Sequence, residues 1–386
     1  MEEGKPISDF DAIRPFYDSE VPAAIERLRQ QPSFHTALKF VFPDTPLDRL
    51  DQAISEIKTI EDFQNFIASA AVKKIIEVST HGVNIGGLEN LDAKKAFLFI
   101  SNHRDIVLDS AFLNYELYQN NFPTTRIAIG SNLLQRPWIE DLVKLNKNFI
   151  VHRDVHSRLA YEYSMRLSGF ISHSIIDENI SVWIAQKEGR AKNGNDKTHA
   201  GLVKMFGMSA RGEDIPAFYN SLNIAPVSIS YEIEPCGGLK AREMFIRASQ
   251  GNYKKEDGED LRSMQIGITG DKGKVHFQFS APLEKNKISS CFEGYSKNDS
   301  IKNLAIKIDE LIIGSYHLFP NNYVAYYLKT GDNRFNDLFT SEQLNIFNDL
   351  MDFELAGFEF GFEELKPYFI DIYANPIINK INIGAI

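Results

Sequence analysis

Apolar and polar residues follow different periods in different parts of this chain. Up to about residue 80 the apolar positions recur every three or four residues, which is typical of amphipathic helices. The segment 45–57 is one example, with Thr45 as a predicted cap and Pro46 in the first helical turn. Thr59, followed by two acids, predicts the start of a further helix. Residues 1–80 are therefore predicted to form an N-terminal helical region.

After residue 80, short apolar runs alternate with helical patterns. Each apolar run is followed by a few polar residues, which we call its polar tip. Apolar runs of this kind lie at 95–102, 124–131, 147–154, 180–189 and 223–232, and a further run at 273–283 alternates apolar with polar residues. Strands that are apolar throughout are typical of a mostly parallel sheet covered by helices. We therefore predict an α/β fold over residues 81–290, with a central, mostly parallel sheet flanked by helices. Ligands bind at the carboxyl ends of such strands, so the polar tips are expected to line one site.

From residue 291 the pattern becomes helical again and unusually aromatic, as in "FELAGFEFGFEELKPYFIDIYANP" (353–376). We predict a C-terminal helical extension, 291–386, packed on the core. Its aromatic residues allow two interpretations: a helical cap, or an apolar surface that receives a lipid chain or rests on a bilayer. Neither a signal peptide nor a membrane-spanning stretch is recognisable, so we expect a cytoplasmic protein.

Composition restricts the partners of this 386-residue chain. Its 43% hydrophobic and 24% charged residues are ordinary for a globular protein. The net charge of −10 argues against a nucleic-acid partner, so any anion-binding site must be local. Cys236 and Cys291 have neither the spacing of a zinc site nor the density of a disulfide scaffold.

The stretch "FISNHRDIVLDS" (99–110) places His103 directly after a predicted strand and before a helix predicted to begin near Asp105. A carboxylate from Asp105 or Asp109 can hold the imidazole while its other nitrogen accepts a proton from a hydroxyl. Protein kinases also contain His-Arg-Asp, but the Gly-rich loop and Asp-Phe-Gly that they require are absent here. A structural role for His103, or a metal-dependent phosphoesterase using His103 and Asp105, are the alternatives.

Two further tips carry basic residues. One supplies Arg153, and the next supplies Lys187, Glu188, Gly189, Arg190 and Lys192. Arginine binds phosphate through two parallel hydrogen bonds, and glycine lets the backbone approach it closely. The group would suit an anionic substrate whose hydroxyls are bound by Glu188, whereas each tip alone could also be a solvated turn.

Four segments, in this order, resemble the sequence blocks of the phospholipid and glycerol acyltransferase superfamily. They are "GLENLDAKKAFLFISNHRDIVLD", "LVKLNKNFIVHRD", "VWIAQKEGRAKNG" and "IAPVSISYE", which together cover roughly residues 82–232. The last segment is most similar to the branch that acylates glycerol 3-phosphate and dihydroxyacetone phosphate. Four blocks in the correct order are far more specific than any one of them.

The resemblance implies transfer of a fatty acyl group from acyl carrier protein or coenzyme A to a hydroxyl of glycerol 3-phosphate or 1-acylglycerol 3-phosphate. His103 would be the general base held by Asp109, Arg153 and Arg190 would hold the phosphate, and Glu188 would bind a hydroxyl. We expect no acyl-enzyme, no metal and no cofactor beyond the thioester co-substrate. The protein would act peripherally, at the inner face of the cytoplasmic membrane. The alternatives are an inactive lipid-binding or scaffold relative, and an acyltransferase with a non-phosphate acceptor.

Two departures from the family pattern affect the site residues. The family has four residues between its His and Asp, whereas five separate His103 from Asp109. On a helix one extra residue turns a side chain by about 100°, so either the chain bulges or Asp105 replaces Asp109. The third block lacks the residue usually found between Gly and Arg, which leaves Arg190 and Lys192 as alternatives for that position.

Overall fold

A seven-stranded sheet forms the centre of the molecule. The structure, a computed structural model, describes residues 10–134, 136–153, 157–210 and 214–386. The strands are β1 (Val83–Gly86), β2 (Leu98–Ser101), β3 (Arg126–Gly130), β4 (Asn148–Val151), β5 (Val182–Ala185), β6 (Ile224–Tyr231) and β7 (Val275–Phe279). Their order is β1-β7-β6-β2-β5-β3-β4, and all neighbours are parallel except β6 and β7. The predicted α/β class and mostly parallel sheet are confirmed.

Helices cover both faces of this sheet. In β2, Leu98 and Ile100 belong to the apolar cluster on one face, whereas Phe99 belongs to the cluster on the other face. All four residues of β2 and all eight of β6 are buried. Burial on both faces explains why residues 98–100 of β2 and 224–227 of β6 form unbroken apolar runs.

The N-terminal region is helical, as predicted. Its helices are α1 (Val21–Arg29), α2 (Pro32–Val41), α3 (Leu47–Ser55), α4 (Ile60–Phe63) and α5 (Ser69–Ser79), with a π-helix at Gln64–Ala68. Thr59 caps α4, since its side chain accepts a hydrogen bond from the Asp62 amide. The predicted cap at Thr45 is wrong, because α3 begins after Pro46, whose extended backbone (ψ 140°) places it outside the helix.

Between and after the strands lie α6 (Leu108–Gln119), α7 (Pro137–Leu145), α8 (Ser157–Ser172), α9 (Ala200–Phe206), α10 (Ile215–Ser221), α11 (Gly237–Gln250), α12 (Glu259–Thr269) and α13 (Lys285–Ser290). Helix α8 continues into a π-helix, His173–Asp177. Sequence analysis missed β1, because "VNIG" contains only two strongly apolar residues.

The C-terminal part consists of α14 (Lys297–Ser315), α15 (Pro320–Thr330), α16 (Ser341–Leu355) and α17 (Phe362–Asn382). Leu365, Phe369 and Tyr373 of α17 are buried in a cluster shared with α11, α15 and α16. These three residues therefore belong to a helical cap. The domain boundaries near residues 80 and 290 stay predictions. Within the described ranges, no helix combines the length and apolar character needed to cross a bilayer.

Candidate active site

His103 lies in the short loop between β2 and α6, at the carboxyl end of the sheet. Its Nδ1 is 2.8 Å from Oδ2 of Asp109, in the first turn of α6. Because a carboxylate only accepts, Nδ1 donates and the lone pair of Nε2 remains available. The imidazole ring also packs edge-on against Trp183, with ring centroids 5.7 Å apart. His103 is thus held in the tautomer that a general base requires.

The extra residue between His103 and Asp109 is accommodated before the helix begins. The predicted start of the helix near Asp105 is wrong, because α6 begins at Leu108. The Asp105 carboxylate instead accepts hydrogen bonds from the amides of Val107 and Leu108, at 2.9 and 2.8 Å, and so fixes a turn. This turn brings Asp109, and not Asp105, to His103.

Asp105 itself is buried, and its pKa is raised by burial and by the nearby charge of Asp109. Helix α12 passes directly over its carboxyl group. A Cβ added to Gly267 would lie 2.0 Å from Asp105 Oδ2. In this arrangement Asp105 is a structural group that shapes the loop.

A buried ion pair, which involves a residue of α11, also holds the loop that contains His103. Lys240 of α11 pairs with Glu234 at 2.7 Å and donates to the backbone carbonyl of Arg104 at 3.0 Å. Arg104 in turn donates to the hydroxyl of Tyr316, which follows α14. The backbone beside His103 is therefore tied to both α11 and the C-terminal part of the chain.

His103 opens onto a cavity of about 1010 Å³. Most of the lining is aliphatic or aromatic and comes from α5, α6, α7, α8, α12 and strands β3 to β5; among these residues are Val72, Ile75, Leu108, Ile129, Trp138, Leu142, Leu167 and Ile268. Asn146 and Asn148, which also line it, lie at the amino end of β4, whereas His103 lies at the carboxyl end of β2. The cavity therefore extends along the sheet and away from His103.

Charged residues share the His103 end of this cavity. The charged residues are Arg136, Arg153, Lys187 and Glu188, and the neighbouring Gly189 also lines the cavity. Arg153 donates to the Glu188 carboxylate at 2.8 Å, and both side chains remain partly exposed. The tips of β4 and β5 thus meet that of β2 at one place, which offers an anion positive charge next to an apolar space.

Two other candidate anchors lie elsewhere. Arg190 is buried and Lys192 is half-buried, and neither is among the described residues that line the cavity. Lys192 pairs with Glu243 of α11 at 2.5 Å, and burial, with Arg190 nearby, lowers the pKa of Lys192 to about 8. Between Arg190 and Lys192, the backbone amide of Ala191 donates to the carbonyl of His103 at 2.6 Å.

Sequence reasoning missed three residues at the site. Arg136 lies in no apolar run with a polar tip, and Trp183 looks like an ordinary core residue of β5. Tyr231 ends β6, and its hydroxyl donates to Asp109 Oδ1 at 3.0 Å. A signal for Tyr231 did exist, because it lies within the fourth block, "IAPVSISYE".

Gly130, at the end of β3, sets the position of Arg153. A Cβ at this residue would lie 2.5 Å from Arg153 Nε and 2.5 Å from Asn132 Oδ1. Both are side-chain atoms, so we expect Gly130→Ala to fold but to displace the guanidinium. Steady-state kinetics should then show an increased KM for an anionic acceptor. Gly314→Ala, where the nearest atom would be 3.9 Å away, is the matched control. An unchanged KM in Gly130→Ala would contradict this role.

Comparisons with known proteins concern the segment that contains these residues. Residues 82–230 match the family model described as Acyltransferase. Among solved structures, the chain is similar to the 1-acyl-sn-glycerophosphate (LPA) acyltransferase PlsC from Thermotoga maritima, with 13% identity and a TM-score of 0.34. That likeness covers 76% of this chain and 91% of the other. No curated protein sequence matches significantly. The segment 82–230 is therefore identified as an acyltransferase domain, which supports an acyltransferase enzyme.

Proposed function

We propose that this enzyme transfers a fatty acyl group from a thioester, carried by acyl carrier protein or coenzyme A, to a hydroxyl of glycerol 3-phosphate or 1-acylglycerol 3-phosphate. The observation that carries the proposal is the position of the His103–Asp109 pair at the junction of an apolar cavity and a cluster of cations. A hydroxyl, a fatty acyl chain and a phosphate each find a chemically matched environment there.

The apolar cavity is the proposed place of the fatty acyl chain. Its volume of about 1010 Å³ lies at the upper end of the range for small-molecule sites. Its aliphatic walls would bury each methylene with a gain of about 0.8 kcal/mol. Because the cavity begins at His103 and continues towards the amino end of β4, an acyl chain inside it would leave the thioester carbonyl beside the imidazole.

The cations at the same end are the proposed site of the acceptor phosphate. Arg153 is held by Glu188, and Arg136 and Lys187 line the same opening. A phosphate can take over hydrogen bonds from Arg153, after which Glu188 is free to accept one from a substrate hydroxyl. This arrangement replaces the predicted pair of anchors, Arg153 and Arg190, by Arg153 with Arg136 and Lys187.

In the proposed reaction, Nε2 of His103 accepts the proton of the acceptor hydroxyl while the oxygen attacks the thioester carbonyl. Asp109 stabilises the imidazolium that forms. The C–S bond then breaks, and the imidazolium gives its proton to the departing thiolate. An ester and a free thiol result, without a covalent acyl-enzyme. Positioning of the two substrates supplies much of the rate.

The substrates suggest where the enzyme acts. A lysophospholipid acceptor and its product reside in a bilayer, so we propose peripheral association with the inner face of the cytoplasmic membrane. Leu261 of α12 both lines the cavity and is 47% exposed, which provides an apolar contact at its rim. Flotation of the protein with lipid vesicles would test this association.

The direct test is acyl transfer from labelled palmitoyl thioester, with each carrier, to glycerol 3-phosphate and to 1-acylglycerol 3-phosphate in parallel. Product with one acceptor would name the step, whereas no product from folded protein in any combination would overturn the proposal. Transfer to an acceptor without phosphate, at equal efficiency, would show that the cations have another purpose.

Arg153→Gln tests the phosphate site. We expect the KM for the phosphate acceptor to rise roughly 10- to 100-fold, since a hydrogen bond to a charged group contributes about 1.5–3 kcal/mol. The KM for the thioester should stay the same. Arg29→Gln, which breaks an arginine–carboxylate pair with Asp51 outside the cavity, is the control. An equal rise in both KM values would argue against a specific phosphate contact.

A further inference from the structure

We propose that Tyr231 is a positioning residue of the reaction, whose hydroxyl fixes the Asp109 carboxylate so that one of its oxygens faces His103. The inference deepens the proposed function and rests on it. Tyr231 comes from β6, whereas His103 and Asp109 come from the loop and helix after β2. A third element of the fold would thus control the orientation of the base.

The hydrogen bonds of Asp109 divide unequally between its two oxygens. Oδ2 accepts from His103 Nδ1 at 2.8 Å and from the amides of Arg104 and Asp105 at 2.6 and 3.1 Å. Oδ1 accepts from the Tyr231 hydroxyl at 3.0 Å, and the described residues provide no other hydrogen bond to it. With both oxygens held, the carboxylate cannot rotate about its last torsion, and Oδ2 stays directed at the imidazole.

The surroundings keep the donor at this position protonated. Asp109 is fully buried, and the neighbouring Asp105 is a second carboxyl group. Arg104 is close, but its guanidinium bonds to Tyr316 instead of Asp109. Burial and the two carboxyl groups raise the pKa of Tyr231 well above its ordinary value, so the phenol keeps its proton and remains a donor.

The sheet holds Tyr231 at a fixed distance from the catalytic loop. Asn102, directly before His103, exchanges two hydrogen bonds with the backbone of Ile229, both at 2.8 Å. Tyr231 is two residues further along the same strand and is paired with Val275 of β7. The loop and the phenol are therefore anchored to one stretch of β6, which leaves little freedom between them.

The test is Tyr231→Phe, which removes the hydroxyl and keeps the ring. We expect kcat to fall roughly 10- to 100-fold, as for loss of a hydrogen bond to a charged group. The KM values of both substrates should stay unchanged. Tyr219→Phe is the matched control: this tyrosine is equally buried, and its hydroxyl donates to the Val203 carbonyl at 2.7 Å in the opposite apolar cluster. Its kcat should match wild type, even if its thermal stability falls equally.

Two further measurements separate positioning from general stability. In an Asp109→Asn background, Tyr231→Phe should cost much less kcat than in the wild type, because the two residues act through one carboxyl group. In protein labelled with ¹⁵N-histidine, the Nδ1 resonance of His103 should shift in Tyr231→Phe and stay in place in Tyr219→Phe. The resonance needs no turnover, so it tests the inference even if the proposed substrates are wrong.

Three outcomes would overturn the inference. They are a kcat of Tyr231→Phe within twofold of wild type, a full additional loss in the Asp109→Asn background, and an unshifted His103 resonance. An inactive wild type would instead count against the proposed function, with the resonance still deciding the role of Tyr231.

Discussion

Replacing His103 by glutamine is expected to lower kcat by about 10²–10⁴-fold, the usual contribution of a general base. The glutamine amide can still donate to Asp109, but it has no basic nitrogen to accept the proton of the acceptor hydroxyl. The fold should survive, because His103 is partly exposed and its loop is held by other bonds, including that from Lys240 to the Arg104 carbonyl. Single-turnover acyl transfer, together with circular dichroism, would measure both quantities.

The control for this variant exists in the same chain. His173 forms a very similar pair, with Nδ1 2.7 Å from Asp177 Oδ2, but it lies outside the cavity. His173→Gln should therefore keep wild-type kcat. If His103→Gln retained a third or more of the wild-type kcat, His103 would not be the base.

Replacing Lys240 by methionine is expected to destabilise the protein by about 3–5 kcal/mol, the typical effect of removing one partner from a buried ion pair. Both Lys240 and Glu234 are almost completely buried, so the remaining carboxylate would lose its ion-pair partner and have little water. The Arg104 carbonyl, directly beside His103, would also lose its donor. Chemical denaturation would measure the free energy of unfolding.

Two further variants test whether the loss of stability comes from the buried ion pair. Lys287→Met breaks an exposed pair with Glu284, at 3.5 Å, and should change stability little. The double variant Lys240→Met, Glu234→Leu removes both charges and should recover much of the stability. Its activity should remain low, because the loop that carries His103 still lacks the hydrogen bond from Lys240. A destabilisation below about 1 kcal/mol in Lys240→Met would contradict the importance of the pair.

The strands could be predicted because their environment is simple. Strands β2 and β6 are buried on both faces, so residues 98–100 and 224–227 form unbroken apolar runs, and the parallel order then places the strand tips at one edge. His103, Arg153 and Glu188 could be expected together for this reason. Strand β1 was missed because none of its residues is fully buried. Its sequence therefore lacks the unbroken apolar run by which most of the other strands were recognised.

The details of the site depended on local turns and on distant contacts. The choice between Asp105 and Asp109 is made by two backbone amides in one turn, which the spacing of acids does not reveal. Arg190 and Lys192 were predicted as phosphate anchors, but Lys192 pairs with Glu243 of α11, 51 residues later in the sequence. Tyr231 lies 122 positions from Asp109, so no local pattern could connect them.

The outer position of β1 has a consequence for how the chain is made. Val83 pairs with Val275, so 192 residues (275 minus 83) must be added before β1 meets its neighbour β7. At about 5–20 residues per second, a nascent strand would wait on the order of 10 to 40 s on the ribosome. Unpaired strands invite association with other chains, and this risk grows with length and apolar character. Strand β1 has only four residues, including an asparagine and a glycine, so it is a weak template for such association while it remains unpaired.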